Sequence, residues 1–104
     1  MHRSKRVDNM QANVELRLAS DLGTKLERVL KAAFPQAFCS VRPAGFQDRV
    51  CVVVVGKEFR GLPETAKLQK VLSALSGPLE RREISQDDVN RVASVVVYSD
   101  AELG

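Results

Sequence analysis

The run from Val50 to Val55, VCVVVV, limits the fold more than any other feature of the chain. Branching at Cβ stiffens these side chains and suits them to a pleated strand rather than a helix. Successive strand side chains point to opposite faces, so an unbroken apolar run makes a strand that is apolar on both sides. Gly56 ends the run, and the sequence from Val52 then reads VVVVGKEFRGLPETAKLQKVL. Two glycines flank a phenylalanine before a helical pattern begins. Such a stretch is either a phosphate-binding loop or a corner where a strand turns into a helix.

The elements around this strand follow from periodicity and punctuation. Asp21 is placed to cap a helix whose apolar face is Leu22, Leu26, Val29, Leu30 and Ala33, and Phe34-Pro35 ends it. Ala37 to Arg42 reads as a strand, closed by a turn at Pro43-Ala44-Gly45. A hairpin centred on Gly45 would set Cys39 directly opposite Cys51 on one face. These thiols are either two small buried side chains or a redox-sensing pair. A second helix is expected from Pro63 to Leu75, with Leu68, Val71, Leu72 and Leu75 as its apolar face and Ser76-Gly77-Pro78 as its stop. Ser85 is placed to cap a short helix with Asp87 and Asp88 in its first turn, and Val92 to Tyr98 is a last strand. Val14, Leu16 and Leu18 alternate like a strand, yet Val14, Leu18, Leu22 and Leu26 step by four like a helix. The order α-β-β-α-(α)-β predicts a small α+β domain with helices on one face of a mixed sheet. A strand at Val14–Leu18 would make it βαββαβ, a ferredoxin-like arrangement.

Charge adds less than it first promises. The 16 Lys and Arg outnumber the 13 Asp and Glu, but Arg3, Lys5 and Arg6 hold the whole excess. From Val7 onward the chain is balanced, so residues 1–12 are expected to be a mobile basic tail and residues 13–104 one domain. Met10 offers an alternative start. No apolar run approaches the roughly 18–20 residues of a membrane helix, and the first residues lack the apolar core of a secretory signal. A cytoplasmic protein with free thiols is expected, without membrane association.

Catalytic and phosphate-binding signatures are missing. Gly56 and Gly61 have the gap of a Walker loop, but Leu62 and Pro63 follow where lysine and a hydroxyl are required. Neither G-x-G-x-x-G nor a GxxG clamp occurs. His2 is the only histidine, so no Cys-His or Ser-His-Asp set can be assembled in the body. Two cysteines with one histidine have no zinc spacing either. No enzyme, metal or cofactor is expected. The corner then reads as architecture, with Gly56 and Gly61 permitting a tight exit from the strand and Phe59 plugging the core. Lys57, Arg60, Lys67 and Lys70 are either an ordinary solvated face or a basic patch for an acidic partner or a phosphate backbone.

Val55-Gly56-x-x-Phe59-x-Gly61, followed by Lys67-x-Gln69-x-Val71, resembles the central signature of the BolA family, and the Lys-x-Gln form is most similar to its IbaG-type branch. Tyr98-Ser99-Asp100-Ala101-Glu102 resembles that family's closing Tyr-Thr-Pro-x-Glu. Asn90-Arg91-Val92 and the helix end at Leu26–Pro35 fit as well. The resemblance implies a KH-like fold and a non-enzymatic role, either as a partner of monothiol glutaredoxins in iron–sulfur handling or as a transcriptional regulator. It also exposes a departure. The family's cluster-ligating histidine falls where this chain has Val92-Ala93-Ser94, and Leu68 occupies the helix position that is histidine in the other branch. The expectation is therefore a BolA-like interaction domain without standard cluster ligation. The alternatives are a nucleic-acid-binding regulator and a self-associating ferredoxin-like module, with the chain a monomer or a homodimer.

Overall fold

In the computed structural model, which describes residues 21–103, the first helix, α1, covers residues 21–33. Leu22, Leu26, Val29 and Leu30 recur every three or four residues, and all four are buried along one stripe. Asp21, expected as the cap, is already helical. Ala33, expected in the apolar face, is exposed and borders an open cleft between the two long helices. Phe34 is buried just beyond the helix, where its N–H still reaches the Leu30 carbonyl at 2.8 Å.

The hairpin comes next, with β1 at Phe38–Pro43 antiparallel to β2 at Val50–Val55. Its loop is longer than expected. Pro43 lies opposite Val50, and the Ala44 N–H bonds the Arg49 carbonyl at 2.9 Å, which centres the turn between Phe46 and Gln47 rather than at Gly45. This shift moves every cross-strand pair. Cys39 faces Val54 and Cys51 faces Arg42, so the proposed cysteine pairing is wrong. Cys39 shares the core side of the sheet with Val41, Val52 and Val54, whereas Cys51 is on the reverse side.

Helix α2, Glu64–Glu80, carries the chain back to β3, Val92–Tyr98, which pairs in parallel with β2. The sheet order is β1-β2-β3, so the unbroken valine run is the middle strand of a mixed sheet. Because β2 and β3 are direct neighbours, no strand fits between them. A ferredoxin-like arrangement, with its split βαβ units, places one there, so that alternative is excluded. Val14–Leu18, the segment that raised it, and the expected tail at residues 1–12 both lie outside the described residues.

Two features of α2 differ from expectation. It runs through Ser76, Gly77 and Pro78 to Glu80. Pro78 sits in the last turn, where it forfeits one helical hydrogen bond, and its ring is buried. The helix is also rotated about its axis. Lys67, Val71, Leu75 and Pro78 form the buried stripe, while Leu68 and Leu72 are 38% and 46% exposed.

A five-residue helix, α3 at Gln86–Asn90, precedes β3. It begins with the expected Ser85 cap, a reciprocal box in which Ser85 Oγ accepts from the Asp88 N–H and Asp88 accepts from the Ser85 N–H. Lys25 of α1 reaches Asp88 at 2.9 Å and ties the two helices together. A last turn, α4 at Asp100–Leu103, completes a two-layer α+β domain with one core. Among the described residues no helix is long and apolar enough to cross a membrane.

Candidate functional site: the glycine–phenylalanine–glycine corner

The corner is built as the two glycines and the phenylalanine require. After Gly56 the chain makes a 3-10 turn over Lys57–Phe59. Gly56 is extended, but a Cβ there would lie 3.0 Å from the Ala37 Cβ and collide with the end of the Glu58 side chain, so the position requires close approach. Gly61 has φ +73°, the left-handed region that favours glycine. Between them Phe59 is fully buried, with its ring centroid 5.4 Å from that of Phe34 in a tilted pair. The expected core plug is present.

The four expected basic residues do not form a free patch. Arg60 grips Asp100 with two parallel hydrogen bonds, one of them Nε to Oδ1 at 2.6 Å. Lys67 does not project at all. Its side chain is 8% exposed and its ammonium donates to Glu102 Oε1. Lys70 Nζ donates to the Glu58 carbonyl at 3.2 Å and stands 5.8 Å from the centroid of the Phe59 ring, within cation–π range. Lys57 is exposed and has no ion pair among the described residues.

The acids that neutralise this corner come from the chain's last turn, and sequence reasoning did not assign them that work. The pattern Ser99-x-x-Glu102 is itself a capping-box signature. Glu102 accepts from the Ser99 N–H at 2.9 Å, and the Glu102 N–H reaches Ser99 Oγ at 3.3 Å. Turned inward by this box, the Glu102 carboxyl meets Lys67. The Lys67 ammonium, then the N–H and hydroxyl of Ser99, hold the carboxyl down to about 2. The Arg60 guanidinium likewise holds Asp100 below the usual carboxylate range. The signal for the box was legible, whereas its pairing with residues some 35 positions away was not.

The other candidate groups are scattered. Burial raises the Cys39 thiol, an effect only partly offset by Lys31, which keeps it from being a ready thiolate. With Cys51 on the opposite side of the sheet, the two cannot act as one redox pair. Among the described residues no three His, Cys, Asp or Glu side chains gather into a group that could hold a metal ion. Asp87 and Asp88 serve the first turn of α3, as the sequence suggested.

No protein-family model matches this chain, and no curated protein matches it either.

Proposed function

We propose that this chain is a non-enzymatic, BolA-like interaction and regulatory domain of the cytoplasm, able to engage a monothiol glutaredoxin but not to share an iron–sulfur cluster in the usual way. The observation that carries the reading is the Lys67–Glu102 pair. It joins the two stretches on which the family resemblance rests, the F-x-G corner with its basic helix and the closing Tyr98–Glu102 segment, into one physical unit. A corner stabilised from within, with Arg60 and Lys67 already neutralised, serves to present a surface rather than to perform a reaction. The missing ligand histidine at Val92-Ala93-Ser94 separates docking from cluster ligation.

The test is direct titration of the purified chain with a monothiol glutaredoxin, followed by calorimetry. Binding that leaves the iron–sulfur absorbance of a cluster-loaded glutaredoxin unchanged is the expected outcome. Absence of binding at any accessible concentration would count against the reading. The nucleic-acid alternative is tested in parallel. Backbone binding weakens steeply with salt according to the number of phosphates neutralised. With Arg60 and Lys67 occupied by Asp100 and Glu102, little affinity for duplex DNA is expected even at low salt.

A further inference from the structure

The two edges of the sheet are finished differently, and the difference points to a partner. On β1 the outward-facing backbone is shielded from within the chain. Glu27 of α1 accepts the Val41 N–H at 2.7 Å, Lys31 donates to the Ala37 carbonyl at 2.6 Å, and Pro43 has no N–H to offer. These are the devices that keep a strand edge from pairing with a foreign strand. On β3 the one such device is a break in register at Ala93, where Val50 pairs with Val92 and Cys51 with Ser94, and it lies ahead of the stretch Val95–Val97. The Tyr98 carbonyl accepts from Gly56 on the β2 side, so by alternation Val96 and Ser94 also face β2, and Val95 and Val97 turn their backbone outward. No described residue pairs with either of them on that side. The strand, VASVVVY, has no charge, proline or glycine to guard it.

The surface beside this edge is apolar as well. The rotation of α2 sets exposed Leu68 and Leu72 along the same flank. Leu68 lines an open groove of about 360 Å³ with Val95, Val96 and Val97. Leu72 borders a smaller apolar one with Val92 and Val95. Val96 is itself 36% exposed on the opposite face of the sheet.

We propose that β3 is the homodimer edge of this protein, pairing antiparallel with β3 of a second copy to make a continuous six-stranded sheet. A two-fold axis through Val96 lets Val95 of each copy exchange both backbone hydrogen bonds with Val97 of the other. Val96 then meets its own counterpart as the non-hydrogen-bonded pair, and the Leu68–Leu72 flanks come together on the helical face. The surface suits a second copy because it is self-complementary and nearly uncharged, with Glu64 the one charged residue among those that line the groove. The charges at its C-terminal end, Asp100 and Glu102, are already paired within the chain, and from Val7 onward basic and acidic residues balance. Two identical faces therefore meet with Glu64 as the one like charge that each brings to the groove. This inference stands independently of the glutaredoxin reading.

The experiment compares the full chain with Val96→Lys and Val96→Asp by sedimentation equilibrium from micromolar to submillimolar concentration. The wild type is expected to dimerise. Each variant alone places like charges on the axis and weakens dimerisation by about 100-fold. An equimolar mixture of the two variants restores it. A wild type that is monomeric throughout, or a Val96→Lys dimer as tight as the wild type, overturns the proposal. Hydrogen exchange on the unmodified chain provides a readout that does not depend on either variant folding. The Val95 and Val97 amides become protected as concentration rises. Protection that is independent of concentration means the chain covers its own edge, and it overturns the proposal equally.

Discussion

Replacing Phe59 with alanine tests the corner as a structural plug. The ring is wholly buried, packs on Phe34 at 5.4 Å and lies beneath the Lys70 ammonium. Truncation removes the ring's burial and leaves a cavity that relaxes only in part. Buried Phe→Ala changes cost about 3–5 kcal/mol, a large share of the roughly 5–15 kcal/mol by which domains are stable. At about 4–8 °C per kcal/mol for a domain of this size, the melting temperature should fall by at least about 12 °C. Part of that loss belongs to the aromatic pair, for which a double-mutant cycle with Phe34→Ala should return a coupling of about 0.5–1.5 kcal/mol. The assays are thermal and urea denaturation, each followed by circular dichroism, with the urea slope checked for constancy so that its midpoint shift reports stability alone. A Phe59→Ala protein that melts within about 2 °C of the wild type would show that the ring carries no such load, and the architectural reading of the corner would fail with it.

Three further outcomes are expected. Gly61→Ala should cost about 1–2 kcal/mol through backbone strain alone, because φ is +73° and a Cβ there meets nothing within 4 Å; Gly61→Asn should cost less, and thermal denaturation of the two variants checks the order. The folded-state pKa of Glu102 lies near 2, below its ordinary 4.5, so its stabilising contribution is complete above pH 4.5 and is lost progressively as the pH falls toward 2. Melting curves across that window should therefore decline more steeply for the wild type than for Glu102→Gln. Mild oxidation should yield no intramolecular Cys39–Cys51 disulfide, since the two thiols occupy opposite sides of the sheet; mass spectrometry of a non-reduced digest will show whether that linkage forms.

Much of the local structure could be read directly. The strands at Val50–Val55 and Val92–Tyr98 lie where composition placed them, because β-branched runs bounded by glycine or capping residues carry their own signal. The Ser85 box depends on residues three apart, and Gly61 adopts a turn that its lack of a Cβ allows. The candidate site was legible only in part. Gly56, Phe59 and Gly61 form the corner, yet two of the four expected basic residues, Arg60 and Lys67, are taken up by Asp100 and Glu102, which lie far away in the sequence.

The chain's own order of residues settled which segments are helix, strand or turn, and where most of them begin. Each of those choices rests on sterics and hydrogen bonds spanning about four positions, which are the same in any surroundings. Packing chose among options that local rules leave equal. α2 could have buried Leu68 and Leu72, but the Lys67–Glu102 pair and the fit of Val71 and Leu75 on the sheet turned it the other way. The hairpin could have closed at Gly45, but a six-residue loop set the register and put the cysteines on opposite faces. Register and helix rotation are decided by contacts between residues far apart in the chain, and no short window of sequence contains both partners.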